Sequence, residues 1–474
     1  MADDQTKVNE GLFLTIIKLQ KLSNEEGYDK QDCQKRIVKC CKYVLLSSPS
    51  FYLDHKLDSL MWKEVFYSNY QEMKNNSNIN SQTIIEFINK GILFYEELLK
   101  RIEHDPQFAS CVYFMYIHLG DLHRYLATEQ RNETTPKKSR YSISKAFYSK
   151  ALLLDPHHGY AYHGLAVLAT YEETHCLAIY CYLRAATCRY PLRSANQNLR
   201  IELEQNEIAL KEALSNQSLS AKISHKKQYV DLFALQFIHL HYLICYNEST
   251  NQFNASLNAF KETMNWCMEN DLPSILLIYR MMIIGIVGAA DAWRPVRESS
   301  LQPSNTLTQS IVRGWIVLYI FMTYIAKYSA SLSSPKKPDD LCLRHVPTIA
   351  LFLQWMILQN EKQYRPRFFQ KKIHSSHSTE ESSHYHVRDA SHSIQRDNLS
   401  QEDISYDVTD PSSCIPIEQF LDCEKEFWKT MSSLIKRLPK KISESPAAKH
   451  MLPMKIEMDT AGFGAFRGMF DRMQ

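Results

Sequence analysis

Arg124 and Tyr125 stand side by side in the run Leu119-Gly120-Asp121-Leu122-His123-Arg124-Tyr125-Leu126-Ala127. An arginine beside a tyrosine on a rigid helix is equipped to hold an anion. The guanidinium forks two hydrogen bonds onto phosphate oxygens and keeps its charge at any physiological pH. The phenol adds a directed third donor. The competing reading is an arginine on a helix face neutralised by a nearby Asp or Glu. Arg184 and Asn198 fall where they would complete a concave wall around the pair, although repeat packing and a helix cap account for them equally well.

Other chemistry is thinly represented. There is no Gly-rich phosphate loop, no His-Glu-x-x-His and no pair of carboxylates near a candidate base, so neither an enzyme nor a cofactor is expected. His374, His377, His384, His386 and His392 cluster in a polar stretch, but no rigid element holds them and no metal is assigned. Ser391, Ser400 and Ser405 in that stretch are candidate phosphorylation targets. The net charge of +3 and pI near 8.1 are too mild to call for a polyanionic partner. Lys35-Arg36, Lys39, Lys42 and Lys226-Lys227 do not cluster with aromatics, so direct nucleic-acid binding is not expected.

Composition speaks for helix. Only 12 Gly accompany 45% hydrophobic residues, and long stretches lack Pro, the residue that interrupts helices most strongly. The fold class expected is all-α. Twelve scattered Cys without a Cys-x-x-Cys pair read as reduced core thiols of a cytosolic or nuclear protein, the cytoplasm being the location expected. Met1 to Glu10 is acidic and polar, unlike a signal peptide. Leu272 to Trp293 is apolar, but Arg280 sits at mid-span and Asp291 near its end, so a buried helix is expected and no membrane partner.

The elements that position the Arg-Tyr pair follow from periodicity. Leu12, Ile16, Ile17 and Leu19, then Ile37, Val38, Cys41 and Val44 to Leu46, mark two opening helices. A third is expected over about 55–74, a fourth over about 82–103 and a fifth from near Gln107, after the breaker Asp105-Pro106. Two helical hairpins then follow at the period of tetratricopeptide repeats. Tyr148 and Tyr182 are 34 residues apart, as are Ala151 and Ala185, while Pro156 and Pro191 close the two units. Leu119-Gly120 comes too early for the first hairpin, which makes the polar stretch Thr128 to Arg140 an inserted loop. Two repeats rarely stand alone, so they are expected to dock on the N-terminal helices. Beyond a polar hinge at Ser215 to Lys226, further helices are expected over about 227–247, 252–269, 272–292, 306–332 and 340–362.

The run around Arg124 resembles the Gly-Asp-x-x-Arg-Tyr core of 14-3-3 proteins, whose Arg-Tyr pair grips phosphoserine. A longer string is similar to the SMG family of nonsense-mediated mRNA decay adaptors, relatives of the Est telomerase subunits. It comprises Leu119 to Tyr125, Ala151 to Pro156, Gly159 to Ala169, and Tyr180-Cys181-Tyr182-Leu183-Arg184-Ala185. The four motifs cover about 119–199, and the layout of flanking helices extends the likeness over about 1–365.

The resemblance implies a 14-3-3-like domain over 1–214 with two tetratricopeptide-like repeats at about 107–190, and a helical-hairpin domain over 218–365. A disordered linker at 366–414 and a C-terminal helix and tail at 415–474 complete the expected layout. It implies a phosphoserine- or phosphothreonine-binding adaptor of the SMG-five or SMG-seven type that pairs with a paralogue and binds the phosphorylated RNA helicase of the surveillance complex. A protein phosphatase and a deadenylase are the candidate downstream factors. The alternative is an architectural heterodimer partner with a vestigial phosphate pocket.

By the same resemblance, Arg124 and Tyr125 are the phosphate anchors. The family's second gripping residue is a Lys shortly after a Trp; here Tyr67 stands at the aligned position, with Lys63 directly after Trp62 and Lys56 seven residues earlier as substitutes. Spacing by seven puts Lys56 and Lys63 on one face of a continuous helix. An Asn expected to hold the peptide backbone is replaced by His163. Tyr67, His163, Arg184 and Asn198 complete the set of expected peptide contacts.

Overall fold

The computed structural model describes residues 2–25, 27–130, 140–217, 225–246, 249–270, 273–289 and 306–332, with isolated positions between 348 and 430. Among these the architecture is all-α. The helix expected at 340–362, the linker, the histidine cluster, the three serines, the C-terminal helix and tail and most of the inserted loop lie outside the described residues, apart from those isolated positions.

The chain divides into two compact units, one running through Glu212 and the other beginning at Ala213. In the first, α1 (Ala2–Leu22) packs along α2 (Lys30–Ser47). Asp29 caps α2 by accepting from the backbone N–H groups of Gln31 and Asp32, donors that a helix start leaves unpaired. The single third helix expected over 55–74 is three pieces, preceded by a short helix of its own. Pro49 opens α3 (Pro49–Asp54), where its missing N–H costs nothing. The chain then breaks at Lys56, whose φ of 53° and ψ of 32° are left-handed. It resumes as α4 (Leu57–Met61), widens into a π-turn (Trp62–Tyr67) and narrows again to α5 (Ser68–Asn75).

Next comes α6 (Ser81–Ile102), started by Asn80, whose side chain accepts from Thr83 N–H, and ended near Lys100 and Arg101, which suit the negative helix end. A short 3-10 turn at Pro106–Phe108 leads into α7 (Ala109–Glu129), which carries Arg124. The hairpins follow as α8 (Ser142–Leu154) with α9 (Gly159–Tyr171), and α10 (His175–Thr187) with α11 (Ser194–Gln217). One core runs from Ile16 through Ile37, Tyr95 and Leu119, and a second cluster of Tyr113, Tyr148, Ala161 and Leu168 seats α8 and α9 on α7. The loops after Pro156 and Cys188 are tied together as well: Gly159 N–H donates to Tyr190 C=O and Tyr190 N–H to His157 C=O, both at 3.0 Å.

The second unit holds α12 (His225–Tyr246), α13 (Thr250–Glu269), α14 (Ile275–Ala289) and α15 (Thr306–Leu332). Phe237 is its hub, meeting Phe260 at 5.7 Å and Phe321 at 5.3 Å between ring centroids. No helix among the described residues is long and apolar enough to cross a membrane. His241 is fully buried against the edge of Phe237, and burial lowers its pKa to about 3. An unfolded imidazole titrates near 6.5, so as pH falls from there the unfolded chain takes up the proton first. Stability is therefore intact above about pH 6.5 and declines toward pH 3 by roughly 1.4 kcal/mol per unit. Thermal melting should show this loss between pH 7 and pH 5 and a flatter dependence in His241→Phe. An identical pH profile in the variant would exclude His241 as its source.

Of the ten described cysteines, eight are buried. Burial pushes the Cys41 and Cys111 thiols up to about 12, so they stay protonated and unreactive inside the core.

Candidate functional site

A tyrosine wedge fixes the geometry around Arg124. The Tyr148 ring of α8 lies between Gly120 of α7 and Gly164 of α9, and a Cβ at either glycine would come within 2.5 Å of it. Ser144 strengthens the same seam, its hydroxyl donating to Gly120 C=O at 2.6 Å. Only glycine lets the backbones of two helices come this close to one ring. The ring is buried, and its hydroxyl emerges where it donates to Asp121 Oδ1 at 2.6 Å.

Arg124 closes a triangle with these two. Its Nη2 donates to Asp121 Oδ1 at 2.7 Å and its Nε to the Tyr148 hydroxyl at 3.4 Å. Burial works against the charge, but the Tyr148 and Asp121 oxygens outweigh it and hold the guanidinium pKa above its ordinary value. Two of five N–H donors are thus engaged by this pair, and the side chain remains 16% exposed. The guanidinium carbon also lies 4.7 Å from the centroid of the Tyr125 ring, within range of a cation–π contact. Arg124 is therefore both neutralised by a carboxylate of its own helix and held in one orientation, with a small part of its side chain exposed.

Tyr125 is 8% exposed and belongs to the core, with its ring stacked on Tyr70 at 4.2 Å. Burial raises its pKa, which keeps the hydroxyl a neutral donor. Trp62 stacks nearby on His118 at 4.4 Å, and His118 Nε2 meets both oxygens of buried Asp58 at 3.0 and 3.1 Å. This contact pins the broken third segment to α7, two turns before Arg124.

The other expected residues divide sharply. His163 lies within electrostatic range of Asp121 and Arg124; burial lowers its pKa, and its Nε2 receives the Asn198 Nδ2 amide at 2.8 Å. Those two join the Arg124 region as a bonded pair. Tyr67 is 41% exposed and close enough to act on the Tyr125 hydroxyl. Lys56 and Lys63 are exposed, but they do not share a helix face: the left-handed Lys56 and the π-turn destroy the two-turn register that spacing implied. Arg184 is a correction. It is 0% exposed, bonded to the Tyr162 hydroxyl with its guanidinium 4.5 Å over that ring, so it packs α10 on α9 and lines no surface.

Tyr148 and Tyr70 went unrecognised as site residues in the sequence. The signal for Tyr148 was present in two glycines, Gly120 and Gly164, that no helix interior favours. Among the described residues no group of three or more His, Cys, Asp or Glu is placed to hold a metal.

Residues 144–409, more than half of the chain, match the Est1 DNA/RNA binding domain. The chain is 22% identical over 358 residues to nonsense-mediated mRNA decay factor SMG7 of Danio rerio, covering 67% of this chain and 28% of that protein. It is 23% identical over 246 residues to telomerase-binding protein EST1A of Danio rerio, covering 43% and 16%. With nonsense-mediated mRNA decay factor SMG5 of Homo sapiens it shares 23% over 227 residues, covering 40% and 22%. The chain thus spans less than a third of the length of these relatives. A solved structure, "Crystal structure of Est1 and Cdc13", superposes with a TM-score of 0.56 over 74% of this chain and 76% of that one at 13% identity, a likeness of fold.

Proposed function

Because the chain belongs to the SMG/Est1 family, we propose that it is a non-enzymatic adaptor of nonsense-mediated mRNA decay whose N-terminal unit binds a phosphoserine or phosphothreonine peptide. Its partners in this reading are a paralogous adaptor and the phosphorylated helicase of the surveillance complex, with a phosphatase or deadenylase recruited downstream. The cytoplasm, with passage through the nucleus, is the proposed location. The observation that carries the reading is the Asp121–Arg124–Tyr148 triangle beside Tyr125, in which a partly exposed guanidinium is oriented before any ligand arrives. An anion then meets a charge already in place, and less ordering has to accompany binding.

One observation favours the second reading, an architectural partner whose pocket has lapsed: Asp121 already satisfies the Arg124 charge. Titration calorimetry of the chain against a helicase-derived peptide in phosphorylated and unphosphorylated forms separates the two. Preference for the phosphorylated form by about tenfold or more, the scale of one charged hydrogen bond, is expected. Equal binding to both would leave only the architectural role.

A further inference from the structure

The cation that the fold carries to the Tyr125 side is Lys74. Its Nζ lies 5.9 Å from the centroid of the Tyr70 ring, Tyr70 stacks on Tyr125 at 4.2 Å, and Arg124 sits 4.7 Å over that second ring. Two cations thus flank one pair of stacked phenols. Each is neutralised by a carboxylate of α7: Arg124 by Asp121 at 2.7 Å, and Lys74 by Glu129 at 2.6 Å. The same Glu129 oxygen, Oε1, also accepts the Tyr70 hydroxyl at 3.0 Å.

The two carboxylates are held very differently. Asp121 is in mid-helix, with a full turn on either side and the Tyr148 hydroxyl on the oxygen that Arg124 grips. Glu129 is the last residue of α7, where a negative charge faces the negative end of the helix dipole, and its side chain is 9% exposed. Lys74 is next to the last residue of α5, and its side chain is 43% exposed. An ammonium and a hydroxyl converge there on a single anionic oxygen, which is the arrangement an incoming carboxylate or phosphate needs.

We propose that Lys74 and Tyr70 form a second anion position beside Arg124 and Tyr125, filled by Glu129 in the free protein, so that the site selects phosphopeptides carrying a second acidic group near the first. The proposal rests on the phosphopeptide reading above. The phosphate goes to Arg124; a neighbouring Asp, Glu or second phosphate displaces Glu129 from Lys74. A peptide with one phosphate and neutral neighbours leaves Glu129 in place and gains only the Arg124 contact.

Calorimetry with the full chain and four versions of one peptide tests this: unphosphorylated, singly phosphorylated with neutral flanks, singly phosphorylated with Glu flanks, and doubly phosphorylated. The last two should bind about tenfold tighter than the second, the scale of one charged hydrogen bond. Lys74→Ala should erase that margin and leave binding of the neutral-flanked phosphopeptide intact, whereas Lys74→Arg should preserve the margin. Glu129→Gln should widen it by removing the internal competitor. A wild-type chain indifferent to the second acid, or a margin that survives Lys74→Ala, overturns the proposal. If phosphorylated and unphosphorylated forms bind alike, the phosphopeptide reading itself has failed, a result the first two peptides register independently of the others.

Discussion

Arg124→Glu is expected to weaken binding of a phosphorylated peptide by at least about a hundredfold, while the unphosphorylated peptide changes little. Loss of a charged hydrogen-bond partner alone costs about 1.5–3 kcal/mol, roughly ten- to a hundredfold, and reversing the charge adds repulsion. The substitution also sets a second carboxylate beside Asp121, which is only 2.7 Å from the present guanidinium. Arg124→Met keeps an apolar stem of similar length and removes the guanidinium, so it serves as the companion variant, with an expected loss of roughly ten- to a hundredfold. Thermal melting of both checks that the fold survives. Full phosphopeptide affinity in a folded Arg124→Met chain would return Arg124 to the role of an arginine neutralised on its own helix.

The second large effect concerns stability. Gly164→Ala should destabilise the N-terminal unit by about 1–3 kcal/mol, the usual cost of forcing extra atoms into a filled core. Its new Cβ would stand 2.5 Å from the Tyr148 ring, a large side chain buried in the core with little room to shift. Gly120→Ala should behave alike. The two effects are coupled through one ring, so a smaller residue at 148 should recover much of either loss in a double-mutant cycle. Strict additivity of Gly164→Ala and Tyr148→Leu, measured by denaturant unfolding, would dissociate the glycines from the ring. Tyr148→Leu also removes the hydroxyl between Asp121 and Arg124, which ties the stability of the repeats to the orientation of the anion site.

Helix was legible almost everywhere, because apolar residues recur at its period and breakers such as Asp105-Pro106 stand at its ends. The fourth helix, expected over about 82–103, is Ser81–Ile102. The third was not legible: nothing in the composition of Tyr52 to Tyr70 marks the left turn at Lys56 or the widening after Met61, both of which answer to tertiary contacts such as Asp58 with His118. The site was legible only where local sequence carries it. Asp121, Arg124 and Tyr125 lie within two turns of one helix. Tyr148 and Lys74 reach the same region across long stretches of chain, by contacts that no spacing announces. For Arg184 the sequence left wall and repeat packing level, and packing is what the structure shows: a tyrosine ring and hydroxyl on the adjoining helix give the charge a place inside.

The wide turn at Trp62–Tyr67 bears on how this protein is to be matched to its kin. A turn closed from residue five back to residue zero, as Ser68 N–H closes on Lys63 C=O, accommodates one residue more than an ordinary helical turn. A relative lacking that residue would have an ordinary turn there, and a gapless comparison would pair every side chain between Trp62 and Asn75 with the wrong neighbour. The offset belongs inside the turn, and removing a single residue from it would swing Tyr67, Tyr70 and Lys74 round the helix axis together, away from Tyr125.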